Sequence, residues 1–182
     1  MNKRLLLLAL FPLLLQPTQA LPPDIPGSVR EVAQVNSDPF TVGPLKLGMA
    51  ESAALKILGE PEEKTEATFE PATALYVKQW LYPEKGFGII LSGDDEKVGP
   101  FEVQTIMLEE PCEMEAVSGL RIGMDRADAV ARIKALEGDG VSVFEVGHEE
   151  DAGVLFEEAY IVLSVRCVDG KVKHLYLGPG PE

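Results

Sequence analysis

The chain of 182 residues is poor in the side chains that most often carry enzyme chemistry: it has two histidines, two cysteines and one tryptophan. It contains no Gly-x-Ser-x-Gly, His-Glu-x-x-His or Walker-type phosphate loop, so the common hydrolase, zinc-protease and nucleotide-binding signatures are missing. We therefore predict a protein that is not an enzyme, with no catalytic residues, no metal site and no cofactor.

Positive charge is also scarce. Sixteen Lys and Arg residues stand against 30 Asp and Glu residues, which gives a formal net charge of −14. Such a surface repels phosphate backbones and anionic headgroups, which argues against nucleic acids and membrane surfaces as partners. The charge permits a basic protein partner, although it is also explained by solubility alone.

The one long apolar run lies at the N-terminus, where Lys3 and Arg4 precede residues 5–15 and a small-residue site ends at Ala20. This pattern predicts a cleaved signal peptide, residues 1–20, and a periplasmic or secreted protein. The run is too short for a bilayer-spanning helix, so no membrane insertion is expected after cleavage. A retained N-terminal anchor is the alternative, and lipidation is not expected because no cysteine follows the cleavage region.

The only cysteines are Cys112 and Cys167. In an oxidising exported compartment, two cysteines favour one structural disulfide, which would close a long loop. The alternative is a pair of buried thiols.

The segment 45–58 returns as segment 120–133, which indicates an internal duplication. Four aligned positions are identical: Leu45/Leu120, Gly48/Gly123, Met49/Met124 and Ala54/Ala129. In each segment we expect Gly to allow the turn into a short helix and Met to begin its buried stripe. Gly59 and Pro61 end the first helix, and Asp125 is the expected N-cap of the second and longer helix.

After each helix the hydrophobic period changes from 3.6 to 2, which indicates strands. We predict strands at 76–82, 87–92, 102–108, 141–146, 154–156, 160–168 and 171–177, with a weaker candidate at 63–69. The predicted fold class is α+β, with two tandem repeats that are each a short helix followed by a three- to four-stranded antiparallel meander. The expected organisation is a signal peptide (1–20), an extended Pro-rich leader (21–39), repeat 1 (40–113), repeat 2 (114–178) and a tail (179–182). The two repeats are expected to share one core; whether their sheets are continuous is left open.

The Leu-x-x-Gly-Met turn, the short helix, the stop Leu58-Gly59-Glu60-Pro61 and the meander resemble the tandem repeat of the β-lactamase-inhibitor-protein family. A single such unit also resembles the small outer-membrane assembly lipoproteins of the SmpA/OmlA type. The resemblance implies an exported, non-enzymatic protein that works by protein–protein contact. It also implies a concave sheet face rich in aromatic side chains, for which the candidates here are Tyr76, Trp80, Tyr82, Phe156 and Tyr160, with Phe87 and Tyr176 as further members.

Two of these candidates allow two interpretations. Trp80 and Tyr82 alternate along one strand and so share one face, which either packs beneath a helix, the favoured interpretation for Trp80, or forms an exposed platform.

The loop around His148, with Glu149, Glu150 and Asp151, is interpreted as a solvated acidic turn rather than a cation site.

These features favour an exported protein-binding module that contacts another extracytoplasmic protein through a sheet face or loops. The first alternative is an inhibitor of a secreted or periplasmic enzyme, with Asp94-Asp95-Glu96 as an acidic finger. The second is a structural factor of the bacterial cell envelope.

Overall fold

A computed structural model describes residues 38–96, 99–145 and 152–180. The predicted signal peptide, most of the leader 21–39, the loop that contains His148, Glu149, Glu150 and Asp151, and the end of the tail lie outside the described residues.

The described residues form eleven strands and two α-helices, with 3-10 turns at Pro83–Lys85 and Val117–Gly119. In chain order the elements are β1 (Thr41–Val42), β2 (Leu45–Lys46), α1 (Glu51–Leu58), β3 (Glu63–Lys64), β4 (Thr68–Glu70), β5 (Leu75–Tyr82), β6 (Phe87–Gly93), β7 (Glu102–Glu109), α2 (Arg126–Lys134), β8 (Val141–Glu145), β9 (Ala152–Phe156), β10 (Ile161–Val168) and β11 (Lys171–Pro179). The predicted positions of the strands and helices are confirmed to within a few residues, and the weak candidate at 63–69 is two short strands. Alternating hydrophobicity was therefore a sufficient local signal.

One nine-stranded antiparallel sheet dominates the fold. Its strands lie in the order β3-β5-β6-β7-β11-β10-β9-β8, and β4 also pairs with β5. The central pair, β7 and β11, joins the two sequence halves through the register Leu108↔Leu175, Met107↔Tyr176 and Ile106↔Leu177. The small hairpin β1–β2 lies outside this sheet.

The predicted fold class, α+β with two tandem repeats of a helix and a meander, is wrong. The described residues are mostly antiparallel sheet, the two helices have only eight and nine residues, and strands from both sequence halves belong to the same sheet. The physical reason is that pairing β7 with β11 removes two edges that separate meanders would leave unpaired.

The two glycine-methionine turns have the same hydrogen bonds. Gly48 and Gly123 have φ values of 77° and 79°, a region that favours glycine. The amide of Gly48 donates to the Val103 carbonyl and that of Gly123 to the Val172 carbonyl, both at 2.8 Å. Each turn thereby fastens the start of a helix to the beginning of a central strand, β7 or β11. This agrees with the structural role expected for these glycines.

The start of α2 differs from the prediction in the bonding of its N-cap side chain. Asp125 occupies the N-cap position of α2, but its side chain makes no capping hydrogen bond. Its carboxylate instead lies 3.0 Å from Lys171 Nζ, at the start of β11. The predicted N-cap position is therefore confirmed, but the carboxylate pairs with Lys171 and does not bond to the helix amides.

One face of the sheet, here called the covered face, packs against α1 and α2. Two of the residue pairs that are identical in the repeated segments lie in this core. Leu45 and Leu120, and Ala54 and Ala129, are all completely buried. Ala54 in α1 and Ala129 in α2 let the helices approach the strands closely, because their methyl side chains are small.

The predicted disulfide is absent. Cys112 and Cys167 are buried in the core, and no disulfide joins them, which agrees with the alternative of two buried thiols. Burial raises the pKa of the Cys112 thiol, and the nearby carboxylate of Glu113 adds to the effect. A raised pKa keeps this sulfur in its unreactive thiol form at neutral pH.

Candidate binding face

The second face of the sheet carries the alternate residues of the same strands. We call it the open face, because α1 and α2 both pack on the other side and no helix of the described residues covers it. A cavity of about 940 Å³ lies on this face. Residues that line it include Val77, Gln79, Leu81, Gly88, Ile90, Thr105, Met107, Glu109, Phe144, Val162, Ser164, Arg166, His174 and Tyr176.

The strand register explains how these residues meet. Ile90 of β6 pairs with Thr105 of β7, and Met107 of β7 pairs with Tyr176 of β11. Tyr176 pairs in turn with Ser164 of β10. Because paired residues point to the same side of a sheet, a mainly apolar floor crosses its four central strands.

Two glycines shape the sides of this floor. A Cβ at Gly88 would lie 2.8 Å from Leu81 Cδ2, and a Cβ at Gly153 would lie 2.6 Å from Phe144 Cζ. Leu81 and Phe144 therefore extend across the neighbouring strands over the missing side chains. Glycine inside a strand often marks such a close approach.

Polar groups surround the apolar floor. Glu109 of β7 pairs with His174 of β11, and His174 pairs with Arg166 of β10, so an acidic, an imidazole and a basic side chain form one row. On another side, Glu70 accepts a hydrogen bond of 2.9 Å from the Thr73 hydroxyl. An apolar centre with a polar rim is the composition of many protein–protein interfaces.

The predicted aromatic candidates do not form one exposed platform. Trp80 is 5% exposed and Tyr82 is completely buried on the covered face, where the Tyr82 hydroxyl donates to the Gly59 carbonyl at 2.9 Å. The core interpretation of Trp80 is confirmed. Phe87 stacks on Tyr82, with ring centroids 4.5 Å apart, and is therefore also in the core.

The remaining candidates are separated from one another. Phe156 is buried against Phe40, and Tyr76 is half-buried in edge contact with Phe69; in both pairs the ring centroids are 5.4 Å apart. Tyr160 is 50% exposed and lies in the turn between β9 and β10. Of the two further candidates from the resemblance, both Tyr176 and Phe87 are among the residues that line the cavity, but Phe87 is buried in the core.

Most of the open face, including Ile90, Met107 and Phe144, is not among the residues predicted from the sequence. A signal was present, because β5 and β6 carry large apolar residues at both alternate positions, as in Ile89-Ile90-Leu91. Such a strand is apolar on both sides. Two short helices can cover only one side, so the other side has to meet something else or remain open.

Among the described residues, no group of His, Cys, Asp and Glu side chains is placed to hold a metal ion. In the same part of the chain, neither helix has the length and hydrophobicity needed to cross a bilayer.

Comparisons with protein-family models, with curated proteins and with solved structures find no match to this chain. The resemblance to the β-lactamase-inhibitor-protein and SmpA/OmlA families is therefore neither supported nor contradicted by them, and it stays a prediction.

Proposed function

We propose that this chain is a non-enzymatic, exported binding module that contacts another extracytoplasmic protein through the open face. The observation that carries the proposal is the cavity of about 940 Å³, whose floor is made of apolar side chains that no described residue covers. Apolar area removed from water contributes roughly 25 cal/mol per Å², so a partner that covers this face would gain a large favourable term.

The composition of the face favours a protein partner. Its floor contains Ile90, Met107, Phe144 and Tyr176, and aromatic residues and Met are enriched at the centres of protein interfaces. Charged side chains such as Glu70, Glu109 and Arg166 are at its edges, where an interface tolerates them because they stay hydrated. The export of the protein rests on the N-terminal pattern of the sequence.

Site-specific photo-crosslinking tests the proposal. A photoreactive phenylalanine analogue would replace Ile90 on the open face or, as the matched control, Ile57, which is 47% exposed on the outer side of α1. After irradiation in the native envelope, we expect one protein to be crosslinked from position 90 and not from position 57. Identical products from both positions, or none from position 90, would contradict the proposal.

An inhibitor of an extracytoplasmic enzyme is the second hypothesis. Asp94, Asp95 and Glu96 are all exposed after the end of β6, as an acidic finger would require. If these residues enter an active site, the combined variant Asp94→Asn, Asp95→Asn and Glu96→Gln should lose its partner, whereas the substitution Met107→Ala should not. A role as a structural factor of the envelope differs from both in the identity of the partner, which the crosslinked product would reveal.

A further inference from the structure

Thr105 is a buried polar residue in the floor of the open face. It is 3% exposed, and it is the only polar residue among the described ones that falls in the buried class. It is one of the residues that line the cavity. It pairs with Ile90 across β6 and β7, which places it among apolar neighbours.

The Thr105 hydroxyl makes no hydrogen bond to any of the described residues. Buried hydroxyls in folded proteins nearly always have a partner, because leaving one without a hydrogen bond is unfavourable. A hydroxyl without a protein partner on the wall of an open cavity can bond to water in the free protein, and a polar group of a bound partner can take the place of that water.

A second hydroxyl lies beside it. A Cβ at Gly178 would lie 2.8 Å from both Thr105 Oγ1 and the Tyr176 hydroxyl oxygen, so both groups meet over this glycine. The Tyr176 hydroxyl donates to the Pro179 carbonyl at 3.0 Å. This leaves lone pairs on the Tyr176 oxygen as acceptors, while the Thr105 hydroxyl can donate and accept.

The surroundings restrict what can reach these hydroxyls. The side chains of Ile90, Met107 and Val162 require an occupant that is apolar along its length, and the two hydroxyls require a hydrogen-bonding group at its tip. Tyrosine combines these properties and is a frequent anchor of protein interfaces. Glu70 and Glu109 line the same cavity, where they outnumber Arg166, and the whole chain carries a charge of −14, so cationic residues beside the tyrosine would be attracted.

We infer that the open face has a polar subsite at Thr105 and Tyr176, which receives a tyrosine side chain from a cationic segment of the partner protein. The inference rests on the proposed function and names the chemistry of the partner. A second copy of this chain is a poor occupant, because two chains of such negative charge repel each other.

The first test uses the free protein. Thr105→Val keeps the shape of the side chain and removes the hydroxyl. Water can reach any hydroxyl that a partner can reach, so we expect the Tm to stay within about 3 °C of that of the natural protein. A larger rise would show that the hydroxyl is sealed from water, and therefore from a partner, and would overturn the inference. Thr105→Ser keeps the hydroxyl and is the control.

The second test measures the binding of fluorescein-labelled synthetic peptides by anisotropy. The peptides are a lysine-rich one with a single central tyrosine, the same peptide with phenylalanine, and the tyrosine peptide with glutamate in place of lysine. On the natural protein and on Thr105→Ser, the tyrosine peptide should bind about fivefold more tightly than the phenylalanine peptide. On Thr105→Val the two should bind equally, and the glutamate peptide should bind none of the proteins well.

The outcomes separate the inference from the proposed function. An equal preference for tyrosine in the natural protein and in Thr105→Val, tight binding of the glutamate peptide, or no binding of any peptide would each refute the subsite. The proposed function would still stand if position 90 crosslinked a partner and position 57 did not, and both ideas would fail together if that crosslink were also missing.

Discussion

The covered face and the open face are made from alternate residues of the same strands, yet their surroundings are opposite. On the covered face, Ile106 and Leu163 are completely buried beneath the layer that contains α1 and α2. On the open face, their chain neighbours Met107 and Ser164 are only half-buried and line a cavity. Most of the completely buried side chains therefore lie on one side of the sheet, whereas no helix of the described residues covers the other side.

The largest expected difference is between two neighbours on β7. Ile106→Ala removes buried methyl groups from the core and should lower the free energy of unfolding by about 3 kcal/mol. Met107→Ala, one residue along the chain, should lower it by less than about 1 kcal/mol. Urea unfolding of both variants measures the difference. Equal losses would mean that something outside the described residues covers the open face.

The strand glycine Gly153 should give the next largest effect. A Cβ there would lie 2.7 Å from the Leu163 carbonyl oxygen, a backbone atom that cannot move aside cheaply. Gly153→Ala should therefore destabilise the protein by about 2 kcal/mol. Gly138→Ala is the control, because no atom lies within 4 Å of its Cβ position. Thermal unfolding compares the two variants, and a neutral Gly153→Ala would show that Phe144 and the strands adjust easily.

A smaller effect is expected at Tyr82 on the covered face. Tyr82→Phe removes the hydrogen bond to Gly59 and should cost about 1 kcal/mol at neutral pH. Burial, with help from the charges of Glu60 and Glu62, raises the pKa of Tyr82 from 10.0 to about 12.

The raised pKa also predicts a pH dependence. Between pH 10 and pH 12 the unfolded chain has lost the Tyr82 proton and the folded chain keeps it, so stability is fully present below pH 10 and falls as the pH rises to about 12. Denaturant unfolding should show a shallower alkaline loss for Tyr82→Phe than for the natural protein. Tyr176→Phe on the open face, whose ring is half-buried, is the comparison, and an equal change in both variants would contradict the assignment to Tyr82.

The smallest expected effect concerns the reactivity of thiols on the two faces. Cys112 and Cys167 are 6% and 3% exposed, so both should react slowly with a thiol reagent in the folded protein. Two thiols should appear after denaturation without a reductant. A cysteine introduced by Ser164→Cys on the open face should react quickly in the folded state. A disulfide between Cys112 and Cys167 in the unreduced protein would show that the two cysteines lie closer together than the structure places them.

Much of the local structure could be predicted from the residues alone. The turn at Gly48 and its counterpart at Gly123 require a positive φ, and the period of two in 76–82 and 102–108 places their strands. The site could not be found in this way. Periodicity shows that Trp80 and Gln79 point to opposite sides of β5, but it does not show which side the helices cover.

The sequence by itself determined where the strands and helices begin and end, because hydrophobic period, glycine and proline act over a few residues. It also determined that Leu45, Leu120, Ala54 and Ala129 have equivalent positions, all of which are buried. Only the tertiary structure decided that β7 pairs with β11 in one sheet, that Asp125 meets Lys171, and that Ile90, Thr105 and Tyr176 share an open face. The physical reason is that these contacts join residues far apart in the chain, and their energies depend on how the two helices and the whole sheet pack together.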